Sequence, residues 1–238
     1  SGLVRFDDRG LPNGDLAESW GISQDGKVYN YSIRPNAVWH DGMPVTSEDV
    51  VFTSNLLRSE DLPIPQHVRD FWNQVEVVTL DEKTVEFRLP DPYAPFLDYL
   101  AFGILPKHLL DGLSPAEMIN ADFNLKPVGS GPFRFENLLS EEGKITGVVL
   151  SSFQEYSGEK PYLDQVEFRY YSDTQSALAA YQNGDVQGIS RLAPDILPDA
   201  LKIPELKVYS GRLPEQTLIY LNLDGARLPF FQDATIRR

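Results

Sequence analysis

The sequence predicts an α+β (mixed α/β) body, and three observations predict it. Short runs of alternating apolar and polar residues recur, each closed by turn residues, as in Tyr29, Tyr31 and Ile33 after Asp25-Gly26. Helix-start signals stand between such runs, at Thr46, Ser114 and Asp173. The chain has 238 residues, 42% of them hydrophobic, which is enough to bury a real core.

Ser1 to Phe6 already read as a strand in progress, so a natural start upstream is expected. The run Tyr29 to Arg34 predicts a half-buried strand, with Lys27, Asn30 and Arg34 off the apolar face. Thr46 stands three residues before Asp49, an acidic variant of the capping box, and heads a helix through Val50, Val51, Phe52, Leu56 and Leu57. Val75 to Leu89 predicts a hairpin turning at Asp81-Glu82-Lys83. Phe96, Leu97, Tyr99 and Leu100 suit a short helix, and Ser114-Pro115-Ala116-Glu117 supplies the N-cap, N1 proline and N3 glutamate of another.

After about residue 126 the rhythm lengthens. Strands are expected at Phe133 to Leu139 and Ile145 to Phe153, joined around Glu142-Gly143, and at Val166, Phe168 and Tyr170. Asp173 caps a helix from Thr174 to Asn183 that Gly184 ends, and Val186 to Ile189 is expected to resume as a strand. Tyr220 to Leu223 reads as a last strand, and Asp233 to Arg238 as an N-cap with one helical turn. A single turn does not hold itself together, so the natural chain is expected to run beyond Arg238. The change of rhythm divides the chain into 1–126 and 127–238.

Composition excludes several functions. With 35 acidic against 21 basic residues the net charge is -14, a field that repels phosphates and anionic lipid, so nucleic acid is a poor partner. The absence of cysteine removes disulfides, thiolate zinc sites and thiol nucleophiles. Apolar stretches such as Tyr99 to Leu105 fall far short of the roughly 20 residues of a membrane helix.

Catalytic patterns are equally lacking. Gly129-Ser130-Gly131-Pro132 has the wrong spacing for a serine-hydrolase elbow, lacks the Gly-Lys-[Ser/Thr] ending of a phosphate loop, and reads as a tight turn into the next strand. His40, His67 and His108 are too far apart in sequence for a metal pair on one element. The acidic pairs Asp7-Asp8, Glu60-Asp61 and Glu141-Glu142 read as solvated surface. Trp20, Trp39, Trp72 and the eleven tyrosines pack a core or line a solute pocket with equal ease. Residue by residue, the chain is a mixed α and β domain without visible catalytic chemistry, and no cofactor is implied.

Six ordered blocks say more. Asp15-Leu16-Ala17-Glu18-Ser19-Trp20 opens the series, with Asp25-Gly26, the strand from Tyr29, and Val38-Trp39-His40-Asp41-Gly42-Met43-Pro44-Val45-Thr46-Ser47-Glu48-Asp49-Val50-Val51-Phe52 behind it. Then come Ile104-Leu105-Pro106-Lys107-His108-Leu109-Leu110, Gly129-Ser130-Gly131-Pro132-Phe133, Gln182-Asn183-Gly184-Asp185-Val186, and Tyr220-Leu221-Asn222-Leu223 with Pro229-Phe230. In this order the blocks closely resemble the family 5 extracellular solute-binding proteins, which include the peptide binders of ABC importers.

The resemblance implies a periplasmic-binding-protein-like class II fold of the peptide-binder type, of which this chain would be one lobe only. Residues 1–126 would be the extra domain and 127–238 part of the main lobe. It implies a non-catalytic substrate-binding component of an ABC importer that takes peptides or similar small solutes outside the cytoplasmic membrane, free or lipid-anchored, and hands them to a membrane permease. Lobe closure would be driven by contacts that the solute makes only in the closed form. In peptide-binding relatives the groups that grip peptide termini come largely from the second lobe. Rim positions expected here are Gly129, Ser130, Gly131 and Asn222. A solute-sensing or interaction domain of a regulatory protein is the alternative, and a hydrolase the third reading.

Overall fold

A computed structural model describes residues 1–211. Two compact units result, Ser1–Tyr171 and Ser172–Arg238.

The first unit begins with a two-stranded ribbon, β1 (Val4–Phe6) and β2 (Pro12–Gly14). A four-stranded antiparallel sheet follows, built from β3 (Ala17–Ile22), β4 (Val28–Ile33), β5 (Glu76–Thr79) and β6 (Thr84–Arg88) in the spatial order β3-β4-β6-β5. The alternation read in β4 is real: Tyr29, Tyr31 and Ile33 are all buried, and β4 is paired on both sides, to β3 and to β6. A strand with two neighbours has its backbone fully paired, so side-chain period alone sets its faces.

Helix α1 (Ser47–Leu56) lies against this sheet, and its start has the geometry that the sequence predicts. The Asp49 carboxylate accepts the Thr46 backbone N–H at 2.8 Å and the Thr46 hydroxyl at 3.1 Å. The β5–β6 turn latches onto the same helix start, because Ser47 N–H donates to the Glu82 carbonyl at 2.8 Å and Lys83 Nζ donates to the Val45 carbonyl at 2.7 Å. The helix α2 (Gln66–Trp72), which the sequence reading does not contain, brings Trp72 into the core. Its apolar positions are few and its cap is Pro65, so neither periodicity nor capping marks it. The stretch Ala94–Leu100 forms a 3-10 helix, and α3 (Lys107–Leu110) and α4 (Pro115–Ile119) follow, the latter with the Ser114/Glu117 capping box in place.

The core is aromatic. Phe96 packs on Tyr29 at 4.7 Å, on Phe87 at 5.5 Å and on Trp72 at 6.3 Å between ring centroids, in edge or tilted geometry. Each such side chain removed from water contributes about 1.5–3 kcal/mol.

A separate three-stranded antiparallel sheet comprises β7 (Phe133–Glu141), β8 (Lys144–Ser152) and β9 (Gln165–Arg169), ordered as they occur in the chain. Its first turn places Glu142 at φ 49° and Gly143 at φ 78°, the paired left-handed conformation that a two-residue hairpin turn requires. In the second unit, α5 (Thr174–Asn183) begins with Asp173 Oδ1 accepting the Ser176 N–H at 2.7 Å and ends at Gly184, φ 81°. The short α6 (Leu197–Ala200) comes after it.

The strand expected at Val186 to Ile189 does not form. An extended run becomes a strand only when a neighbour receives its hydrogen bonds, and no described strand pairs with it. The strand and turn expected at Tyr220 to Leu223 and Asp233 to Arg238, with Pro229-Phe230, lie outside the described residues.

Candidate functional site

Among the expected rim positions, Gly129, Ser130 and Gly131 are brought together on the segment that leads into β7, while Asn222 lies outside the described residues. What holds that segment is His40. The hairpin that carries His40 is fixed at its base, where Val45 N–H donates to the Ala37 carbonyl at 3.0 Å and Trp39 N–H to the Met43 carbonyl at 2.7 Å. Gly42 closes it at φ 88°. Trp39 is fully buried beside α1 and points its indole N–H at Asp49, 3.4 Å away. These anchors leave His40 little freedom.

Three hydrogen bonds join it to the other segment. The His40 backbone N–H donates to the Gly129 carbonyl at 2.8 Å, the Gly129 N–H donates to His40 Nδ1 at 3.1 Å, and His40 Nε2 lies 3.0 Å from the Gly131 carbonyl. Because Nδ1 accepts, the ring proton must sit on Nε2, where it donates to Gly131. The ring of Phe153 makes a T-shaped contact with the imidazole at 4.9 Å between centroids, and the Phe153 N–H donates to the Pro132 carbonyl at 2.8 Å. Burial lowers the His40 pKa from its ordinary value, and the Gly131 bond opposes that only in part.

Gly129 serves this approach rather than a left-handed turn. Neither Gly129 nor Gly131 has positive φ, and the tight turn expected here is instead a bend at Gly131 and Pro132. A Cβ on residue 129 would stand 3.2 Å from His40 Cε1, whereas one on residue 131 would meet nothing within 4 Å. Ser130 is 3% exposed, and its carbonyl accepts the Ser1 hydroxyl at 3.3 Å. Its own hydroxyl has no hydrogen-bond partner among the described residues. Both nitrogens of the His40 imidazole are engaged by backbone, so that ring is not free to take a proton from Ser130.

Two carboxylates frame the segment. Asp15 accepts from the Tyr156 hydroxyl at 3.1 Å, from the Ser1 hydroxyl at 3.2 Å and from the Gly2 N–H at 3.1 Å. Asp41 accepts from Met43 N–H at 3.1 Å and meets His108 Nε2 at 2.7 Å. Burial alone would raise the Asp41 carboxyl, but the His108 and Met43 bonds outweigh it and hold the group below its ordinary value. A shallow hollow of about 370 Å³ opens beside the segment, lined by His40, Asp41, Val128, Arg134, Glu136 and Ser151. Its charged and backbone edges can hydrogen-bond a small polar solute. Among the described residues no group of three or more His, Asp or Glu side chains could hold a metal ion, and no helix is long and apolar enough to cross a membrane.

The sequence reading gives His40 only a place in a turn. A histidine in front of Asp-Gly shows the turn but not the backbone atoms that it grips 89 residues later.

The chain is matched over residues 12–238 by the family model described as bacterial extracellular solute-binding proteins, family 5 Middle. It is 36% identical over 189 residues to a putative ABC transporter peptide-binding protein of Brucella ovis, covering 78% of this chain and 34% of that one. Among solved structures it resembles the oligopeptide-binding protein AppA of Bacillus subtilis in complex with a nonapeptide. That likeness has a TM-score of 0.68 and 30% identity, over 78% of this chain and 36% of that one. It also resembles AgaA of A. tumefaciens R10 in complex with agropinic acid, with a TM-score of 0.72 and 31% identity, over 85% and 40% of the two chains. The chain thus spans about a third of the curated relative's length. The class II periplasmic-binding-protein-like fold is shared with these neighbours, whose full length exceeds the part matched here.

Proposed function

Because the chain belongs to the family 5 bacterial extracellular solute-binding proteins, we propose that it is part of the substrate-binding component of an ABC importer, capturing peptides outside the cytoplasmic membrane without chemical change. The observation that carries this reading is the family match across residues 12–238. The peptide assignment draws support from the relative named as an ABC transporter peptide-binding protein and from the neighbour solved with a nonapeptide. The membrane permease of the importer is the protein partner, and the periplasm or the outer face of the cell membrane is the location.

Within this reading, residues 1–126 act as the extra domain, and the part from 127 onward belongs to the main lobe. Gly129, Ser130 and Gly131 sit at the rim of the solute cleft. Support comes from their neighbours in the chain, Val128, Arg134 and Glu136, which line the hollow although the three positions themselves do not.

Calorimetric titration of the intact protein with short peptides tests the proposal, and saturable heat is expected. Saturable heat with an opine or a nickel chelate, and none with peptides, would overturn the peptide assignment while leaving the receptor class. Turnover of peptide or ester substrates by the purified protein would overturn the class.

A further inference from the structure

His40 is the one imidazole among the described residues whose two ring nitrogens are both taken by backbone of a single remote segment. That pairing has a consequence that a purely structural contact lacks. Nδ1 accepts from Gly129, so the bond exists only while Nδ1 carries no proton. A proton added there turns the acceptor into a donor facing the Gly129 N–H, while the Nε2–H bond to the Gly131 carbonyl survives. Protonation therefore frees the Gly129 N–H, while the Gly129 carbonyl stays on the His40 backbone N–H and the Gly131 carbonyl on Nε2.

We propose that His40 is the positioning residue of the Gly129–Gly131 segment and that it makes this segment proton-sensitive, held by three bonds while the imidazole is neutral and by two, with the Gly129 N–H released, when it is protonated. The charged groups around the ring are Asp41 in its own hairpin, Lys126 ahead of the segment, and Arg134 and Glu136 on β7. Asp41 favours the protonated ring, and Arg134 opposes it. Asp41 is itself held by His108 at 2.7 Å, which ties up the one carboxylate of the hairpin closest to hand. Burial of the ring disfavours its charged form. Release is thus confined to the acidic side of the ordinary histidine range. It links acidification outside the membrane to the one segment here assigned to the solute rim, and only that functional consequence rests on the rim assignment.

The test is nuclear magnetic resonance of the intact protein, labelled with 15N at histidine and glycine, between pH 8 and pH 5, beside a His40→Gln variant. Glutamine offers one donor and one acceptor as neutral histidine does, but it does not titrate. The His40 ring is expected as the Nε2–H tautomer at pH 8. As it titrates, the Gly129 amide should lose protection from exchange on the order of tenfold, after correction for the pH dependence of exchange itself. Gly129 in H40Q should stay protected throughout. An Nδ1–H tautomer, or Gly129 protection that is flat across the His40 titration, would overturn the proposal. No solute enters this experiment, so failure of the peptide reading and failure of the proton switch are read separately.

Discussion

The Asp49 carboxylate, 3% exposed on the first turn of α1, accepts the backbone N–H of Lys107 at 2.8 Å across 58 residues of sequence. Its other oxygen takes the Thr46 N–H and hydroxyl and lies 3.4 Å from the Trp39 indole N–H. One side chain therefore caps α1, starts α3 and holds the hairpin that presents His40.

Asp49→Ala removes the acceptor for all of these donors at once, and buried donors left unpaired keep their full desolvation penalty. A loss of about 3–4 kcal/mol in urea unfolding is expected. Asp49→Asn keeps one oxygen and should lose less. A loss under 1 kcal/mol for the alanine variant would show that water replaces the carboxylate, and that the three segments are joined some other way.

Tyr31 tests the opposite case. Its ring is fully buried between Trp20 at 5.9 Å and Phe87 at 5.8 Å, but its hydroxyl has no partner among the described residues. Burial, with the neighbouring Tyr29 adding to it, raises the phenol pKa well above its ordinary value. Tyr31→Phe should therefore leave stability unchanged or raise it by up to about 1 kcal/mol. A clear loss in the unfolding midpoint would reveal a bond to that hydroxyl.

The two glycines flanking Ser130 should behave differently. Gly129→Ala brings a methyl 3.2 Å from His40 Cε1, and because the imidazole is held by its own bonds, a loss of about 1–2 kcal/mol is expected. Gly131→Ala meets open space without positive φ, so its effect should fall within about 0.5 kcal/mol. Equal losses in thermal unfolding would mean that backbone freedom, and not the approach of His40, sets the need for glycine.

His40 also gives stability a pH dependence with a definite sign. Its folded pKa lies below the ordinary 6.5, so as pH falls the unfolded chain binds the proton first. The stability that the neutral ring contributes is complete above pH 6.5 and declines below it, down through the lower folded value. Urea midpoints of the wild type should thus fall relative to those of His40→Gln between pH 7 and pH 5. Parallel profiles for the two proteins would mean that the ring is not preferentially neutral when folded.

Much of the fold was legible in sequence because its signals are local. The capping residues Thr46, Ser114 and Asp173, the stop at Gly184, the alternation in β4 and the turn at Glu142-Gly143 all act over three or four residues, and each is found where expected. The helix α2 escaped because its stability comes from burying Trp72 in an aromatic core assembled from distant parts of the chain. Val186 to Ile189 misled for the same reason in reverse, since an extended run becomes a strand only where a neighbour pairs with it, and no described strand does.

The candidate site divides along the same line. The sequence by itself determined the family, through ordered blocks, and placed Gly129 to Gly131 among its landmarks. Only the tertiary structure decided that His40 grips that segment from 89 residues away, that Asp49 reaches Lys107, and that Tyr156 meets Asp15 across 141 residues. Caps, turns and alternation are fixed by neighbours along the chain, whereas a hydrogen bond between remote segments exists only after packing has brought its donor and acceptor within about 3 Å.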